Sequence, residues 1–471
     1  MAFSKRTRRW VVGLTLVFTL LIAGFLWARP LLNIGAGYAA KHACSCHFLQ
    51  GRALDEISEH DLNFSVLGYF SLSAEGKEVH SSLLGLVPRR AVFREGIGCT
   101  LINDERGKVA SVASPMGAVA GARVIKEEQS GDASIKAEEE QRVTPPNLIP
   151  NPEVQTAVDR AMAPVEGGGA RGIVVLQDSV IIAEAYAEGY DKDTRLLGWS
   201  MTKSLIGLAL GSPDYQPVAF DTLWPVPYAP YLERTNLYPD WADDDRSQIA
   251  LSDLLHMNSG LGWNEAYGSM SDATIMLHEY PDMAAYAAGM PAIQPVGTEW
   301  VYSSGTTNVV TDLLGQGVPD RDLYAHLQKL YGDIAPSLLI EPDQSGRPVG
   351  SSYGWATARD WAALGRFFLQ DGVWNGERRI HPGYVDWLRE PAAGSAGVYG
   401  GHVWLPGPDM PDLPEDAYMM RGFQDQRVFI IPGRNLVITR LGHNNDKRTD
   451  FNTFVREVLG ALEPPEIRLP R

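Results

Sequence analysis

Trp199-Ser200-Met201-Thr202-Lys203-Ser204-Leu205-Ile206-Gly207 is the stretch on which the fold turns. Polar residues lead and apolar residues follow, the pattern of a helix that starts near Ser200 and runs into a core. Residues three apart share a helix face, so the Ser200 hydroxyl and the Lys203 amine can meet. An alcohol is a weak nucleophile until a base takes its proton. A lysine becomes such a base when burial or neighbouring cations pull its pKa towards neutrality. The positive end of the helix dipole would lie beside any oxyanion formed there.

Ser-x-x-Lys joins two common residues and recurs by chance; the segments downstream of it in this chain give it weight. Ser252-Asp253-Leu254-Leu255-His256-Met257-Asn258-Ser259-Gly260-Leu261 comes next, then Pro295-Val296-Gly297-Thr298-Glu299-Trp300-Val301-Tyr302-Ser303-Ser304-Gly305. Gly354-Trp355-Ala356-Thr357-Ala358-Arg359-Asp360 and Arg421-Gly422-Phe423-Gln424-Asp425-Gln426 complete the series. His256, His381 and His443 read as structural, although His443, just past the last strand, could approach the site. No His-Glu-x-x-His or similar ligand spacing is present, so neither a metal nor another cofactor is expected.

Taken in this order, the set resembles the β-lactamase-related serine hydrolases: class C β-lactamases, penicillin-binding esterases and DD-peptidases, and 6-aminohexanoate-dimer hydrolases. The resemblance extends over about residues 155 to 463. It implies Ser200 as acylating nucleophile, Lys203 as its base and Tyr302 as the second proton shuttle. It further implies an oxyanion hole from the backbone N–H groups of Ser200 and Phe423, with Ser304, Arg421 and Gly422 at the substrate. A phenol, pKa about 10 when unperturbed, can serve as a base only in a network with a cation such as Lys203. Tyr302-Ser303-Ser304 stands where class C enzymes have Tyr-x-Asn, and Met420-Arg421-Gly422 where β-lactamases have Lys-Thr-Gly. Loss of the Lys/Thr pair turns the expectation towards the esterase and nylon-oligomer branch, with Arg421 as a replacement cation if it points inward. The expected activity is hydrolysis of small esters or amides through an acyl-enzyme. The alternatives are a β-lactamase or DD-peptidase acting on cell-wall peptides, and a penicillin-binding-like sensor or scaffold without turnover.

The fold implied is α+β: an antiparallel sheet flanked by helices, with an inserted helical domain carrying Tyr302. The residues agree. Gly172–Leu176 and Val180–Glu184 read as one hairpin, Arg427–Ile431 and Leu436–Leu441 as another, with helical patterns between them. Ser252 is a candidate cap for the turn at 253–257, Thr357 with Asp360 for a helix over 361–369, and 451–462 is amphipathic.

Upstream, Lys5, Arg6, Arg8 and Arg9 precede an apolar run from Trp10 to Ala28, closed by Arg29 and Pro30. Nineteen residues of helix rise about 28 Å, close to the ~30 Å hydrocarbon core of a bilayer. Residues 1–9 thus read as a cytoplasmic tail and 10–28 as an uncleaved inner-membrane anchor, with everything beyond extracytoplasmic, periplasmic in a Gram-negative cell. A cleaved signal peptide is the competing reading, and its small-x-small site is poor here. Residues 29–125 form a small module, with strands expected at 63–67, 69–72 and 91–93. Residues 126–152 are acidic, then proline-rich, and read as a linker to the hydrolase domain at 153–465. In an oxidising compartment Cys99 would pair with Cys44 or with Cys46.

Across 471 residues, 41 Lys+Arg face 57 Asp+Glu, a formal net charge of -16. No surplus of cations is available to displace counterions from phosphates, so nucleic acid is not an expected partner. Three cysteines are too few for a disulfide scaffold.

Overall fold

The first helix, α1 (Lys5–Gln50), does not stop where its apolar run stops. It continues through Arg29 and Pro30, because the next turns are rich in alanine, a strong helix former, and have a core to bury against. Ala36, Ala39, Ala40, Ala43 and Cys44 are fully buried, whereas the run from Trp10 to Ala28 is largely exposed. The computed structural model describes residues 5–104, 109–112, 148–163, 168–215, 229–445 and 449–462. The linker expected at 126–152 therefore lies outside the described residues as far as 147.

Four antiparallel strands follow in simple order: β1 (Ser71–Glu75), β2 (Glu78–Leu83), β3 (Leu86–Arg94) and β4 (Gly98–Leu101). The strand expected at 63–67 is instead a 3-10 turn, Ser65–Tyr69. Leu67 and Phe70, three apart, both reach Gly35 of α1, which is a helical and not an extended spacing. Cys44 is bonded to Cys99, and Cys46 is a buried free thiol. Two helical residues are about 200° apart, so Cys46 must point away from β4 when Cys44 faces it.

Cys46 turns instead to His42 and Asp61, whose ligand atoms lie with its own within 4.8 Å of one another. Asp61 is already committed: Arg52 donates to its oxygens at 2.8 and 3.0 Å, and Arg171 at 2.5 and 3.0 Å. Two guanidiniums occupy the carboxylate where a cation would need it, and Asp61, also bonded to His42 of α1 at 3.1 Å, ties that helix to the strand that carries Arg171. A second buried knot lies one face round. Glu341, with no exposed surface, accepts from Lys41 Nζ (2.5 Å), Ser45 Oγ (2.9 Å), the Cys99 N–H (2.6 Å) and Trp355 Nε1 (2.8 Å). Removing one partner of a buried ion pair leaves the other charge uncompensated, at a cost of about 3–5 kcal/mol. Glu341→Gln should therefore destabilise the chain by that order in calorimetry, and Glu341→Gln combined with Lys41→Met should recover part of the loss.

In the body, α2 (Pro152–Ala161), β5 (Gly168–Gln177), β6 (Val180–Tyr186) and β7 (Arg195–Leu197) lead to α3 (Met201–Ala209). Later come α4 (Ser304–Gly317), β8 (Leu339–Ile340), β9 (Gly354–Thr357) and α5 (Ala358–Leu369). The chain closes with β10 (Tyr418–Gly422), β11 (Gln426–Ile431), β12 (Leu436–Asn444) and α6 (Phe451–Ala461). The main sheet runs β10-β11-β12-β5-β6, all antiparallel, so both expected hairpins pair side by side. Alternation along β5 sends Ile173 and Val175 towards α2 and α6, and Val174 and Leu176 into the core shared with α5. Both faces are covered, which is why these strands read as unbroken apolar runs.

Thr357 does cap α5, accepting from the Asp360 N–H. Ser252 does not cap. The short helix there is Leu251–Leu255, and Asp253 reaches back to the Ala250 N–H at 2.8 Å, so Ser252 lies inside its first turn.

Candidate active site

Ser200 sits at the N-cap of α3 without capping it, and Trp199 before it holds φ at +49°. A bulky residue in the left-handed region is strained. The strain turns the chain sharply from β7 into α3 and leaves the Ser200 hydroxyl free of the helix. Gly354 pins the turn from beneath: its carbonyl accepts from the Gly198 N–H (2.8 Å), and its N–H donates to Thr202 Oγ1 (2.9 Å). On the other side β10 approaches so closely that a Cβ on Gly422 would meet the Gly198 carbonyl at 2.2 Å. Only glycine allows that contact, and it places Phe423 beside the start of α3.

Lys203 is 1% exposed, and its ammonium has three partners. It donates to Ser200 Oγ at 3.0 Å, Ser304 Oγ at 3.0 Å and the Ser351 carbonyl at 2.9 Å. Burial pushes its pKa down to about 8, while the carboxylate of Glu265 acts the other way. The Lys203 nitrogen also lies 5.0 Å from the centre of the Tyr302 ring, over its face. The Tyr302 phenol stands against Ser200 and Trp404, in a wall completed by Trp300 and Tyr399. Burial first, and then Glu265, hold that phenol above its ordinary pKa; the nearby Ser200 hydroxyl and the charge of Arg421 oppose them. An amine that titrates near neutrality can take the serine proton, and a phenol held in its neutral form can give one.

The structure thus brings Ser200, Lys203, Tyr302 and Ser304 together, with Gly422 and Phe423 alongside. The Phe423 ring is edge-on to Trp199 and stacked on Tyr267 at 5.2 Å. Arg421 places its guanidinium 4.4 Å from the centre of the Trp404 ring, which itself packs against Tyr302 at 5.3 Å. His443 does not reach Ser200. It hydrogen-bonds Gln424 at 3.2 Å, behind the Phe423 turn, and burial keeps it neutral. His256 packs edge-on against Trp387. Within the Gly211–Asp245 segment, residues 216–228 lie outside the described residues.

One motif legible in the sequence is not a catalytic elbow, and one feature of the site has almost no sequence signal. Gly350-Ser351-Ser352-Tyr353-Gly354 has Gly-x-Ser-x-Gly spacing, but Ser352 is fully buried and its hydroxyl meets only that of Ser351 (2.8 Å) among the described residues. Glu265 is the second. It accepts from Ser304 Oγ (2.5 Å), the Ser304 N–H (2.8 Å) and Trp263 Nε1 (2.6 Å), and Tyr267 bonds both Glu265 and Ser304 at 3.2 Å. A carboxylate thus stands one hydroxyl away from Lys203. Its only signal was an acidic residue among aromatics in Trp263-Asn264-Glu265-Ala266-Tyr267, just after the second motif. That motif itself is a support: Met257 and Asn258 carbonyls accept from Val301 and Gly297, both at 2.8 Å, and so hold the loop that carries Tyr302. Because Glu265 raises the Lys203 pKa, Glu265→Gln should shift the acidic limb of a kcat/KM–pH profile to lower pH.

A family model described as Beta-lactamase matches residues 154–459. Over 225 residues the chain is 26% identical to the 6-aminohexanoate-dimer hydrolase of Paenarthrobacter ureafaciens, covering 45% of this chain and 55% of that protein. The chain therefore spans about half the length of the curated relative it matches. A Bacillus anthracis structure described as a candidate 6-aminohexanoate-dimer hydrolase superposes with a TM-score of 0.54 at 14% identity, over 68% of this chain and 87% of that one. A penicillin-binding protein homologue from Caulobacter crescentus gives 0.50 at 14%, over 66% and 97%.

Proposed function

Because this chain belongs to the beta-lactamase family, we propose that it is a serine hydrolase that cleaves small esters or amides through an acyl-enzyme on Ser200. The observation that carries this is Lys203 Nζ at 3.0 Å from Ser200 Oγ, buried and titrating near 8. Lys203 takes the Ser200 proton as the oxygen attacks the carbonyl carbon, and the N–H groups of Ser200 and Phe423 receive the oxyanion. The Tyr302 phenol, held neutral, donates to the leaving oxygen or nitrogen as the tetrahedral intermediate collapses, and regains a proton through Lys203. Water then attacks the acyl carbonyl, with Lys203 as base, and releases the acid. Glu265 and Ser304 orient the Lys203 amine.

Arg421 supports a substrate with an anionic end. Its charge lies close enough to act on Tyr302, and a hydrogen bond to a charged group is worth about 1.5–3 kcal/mol. Arg421→Ala should raise KM about tenfold or more for a linear amide bearing a free carboxylate and leave KM for a neutral ester unchanged. The substrate class is tested by assaying p-nitrophenyl esters, linear ω-amino-acid amides and nitrocefin side by side. Ester or amide turnover with slow nitrocefin is the expected pattern. Rapid nitrocefin hydrolysis would move the assignment to lactams, and stable labelling without turnover to a sensor.

The same reading places the body outside the cytoplasm. α1 is long and apolar enough, by length and composition, to cross a membrane. The basic residues before it favour a cytoplasmic N-terminus. The Cys44–Cys99 disulfide supports an oxidising compartment.

A further inference from the structure

Beyond the catalytic assignment, and resting on the reading of residues 10–28 as a membrane span, we propose that the lower rim of the β1–β4 sheet enters the bilayer interface. It would give the ectodomain a second membrane contact besides α1.

The β2–β3 hairpin ends in Leu83-Leu84-Gly85-Leu86. Leu84 is 90% exposed at φ +51°, and Leu86 is 48% exposed. Hairpin tips in water favour glycine, asparagine and aspartate; an apolar pair with a strained leucine is costly there. The height of the tip is set by contacts along β3. Phe93 stacks on Phe48 at 4.6 Å, its strand partner Cys99 is bonded to Cys44, and Arg89 donates to the Asn33 carbonyl at 3.5 Å. β3 therefore descends α1 towards its N-terminus. The seven steps of strand from Phe93 to Leu86 span about 23 Å, and the turn carries Leu84 a few Å further, together equal to about 17 residues of helix. The tip thus comes level with the end of the apolar run. An independent observation agrees: inside that exposed run Phe25 and Ala28 are partly covered, and Phe25 packs against the core of the body. The 3-10 turn that reaches Gly35 adds Tyr69, 75% exposed, at a height suited to an interfacial tyrosine.

The occupant that fits is the headgroup–acyl boundary of a phospholipid bilayer, which accepts leucine side chains and the tyrosine rim together. Two attachments would fix the tilt of the body. Trp199 stacks on Tyr38 and His42 of α1, so the crevice would stand about 15–20 Å above Ala28, just beyond the headgroups.

The test uses the full-length chain in phosphatidylcholine vesicles, with an environment-sensitive NBD label at Leu84→Cys. Lys77→Cys is the control at the far end of the hairpin, where the Lys77 carbonyl pairs with the Phe93 N–H, and Leu20→Cys is the control in mid-span. Cys46 is buried, and the unsubstituted chain checks that it takes no label. Expected are blue-shifted emission at position 84 that loses most of its intensity to lipids carrying a shallow doxyl quencher, quenching at 20, and neither effect at 77. A water-exposed label at 84 with quenching at 20 overturns the docking while the anchor stands. No quenching at 20 or 84 overturns both. A blue shift at 84 without lipid quenching means that a second protein copy covers the tip, and also overturns it.

Discussion

Ser200→Ala is expected to lower kcat for p-nitrophenyl ester hydrolysis by about 10⁴-fold or more, with KM little changed. The size reflects what the hydroxyl would do. Without it no acyl-enzyme forms, and the only remaining help is the oxyanion site and the aromatic walls acting on water. KM should hold because those walls, Tyr302, Trp404 and Phe423, are untouched. Folding should hold too, since Ser200 does not cap α3 and is not fully buried. A variant that keeps near-wild-type kcat would mean that the chemistry lies elsewhere.

Lys203→Met should cost about 10²–10⁴-fold in kcat/KM, the range over which a positioned general base contributes. Methionine fills a similar volume and needs no hydrogen bonds, so the loss reports chemistry more than packing. The pH profile gives the sharper readout. In the native chain only the neutral amine can take the proton, so kcat/KM should rise about tenfold per pH unit below 8 and flatten above it. In Lys203→Met that limb should disappear. The Tyr302 phenol, held above its ordinary range, should add no alkaline decline near neutrality.

Much of this was legible in the residues. The hairpins at 172–184 and 427–441 could be read because both faces of the sheet are buried and tight turns separate the strands. The Ser200–Lys203 contact followed from helix spacing alone. Tyr302 and Ser304 came from the order of the motifs, which spacing alone would not have joined. Other features depend on tertiary contacts that no local pattern records. Glu265 acts at the site because a loop folds back onto Ser304. The 63–67 stretch reads as alternating, yet takes helical spacing because Leu67 and Phe70 both dock on Gly35. The continuation of α1 past Pro30 was hidden for the same reason: proline marks a break only when nothing beyond it holds the helix together, and here Glu341 and a seam of alanines do.

The central claim is that Ser200 carries the acyl group. It is tested most directly by intact-mass and peptide mapping of the purified chain after reaction with a fluorophosphonate probe. A single adduct on the peptide holding Ser200, absent from Ser200→Ala, is the expected result. An adduct on another residue, or one that persists in Ser200→Ala, would contradict it.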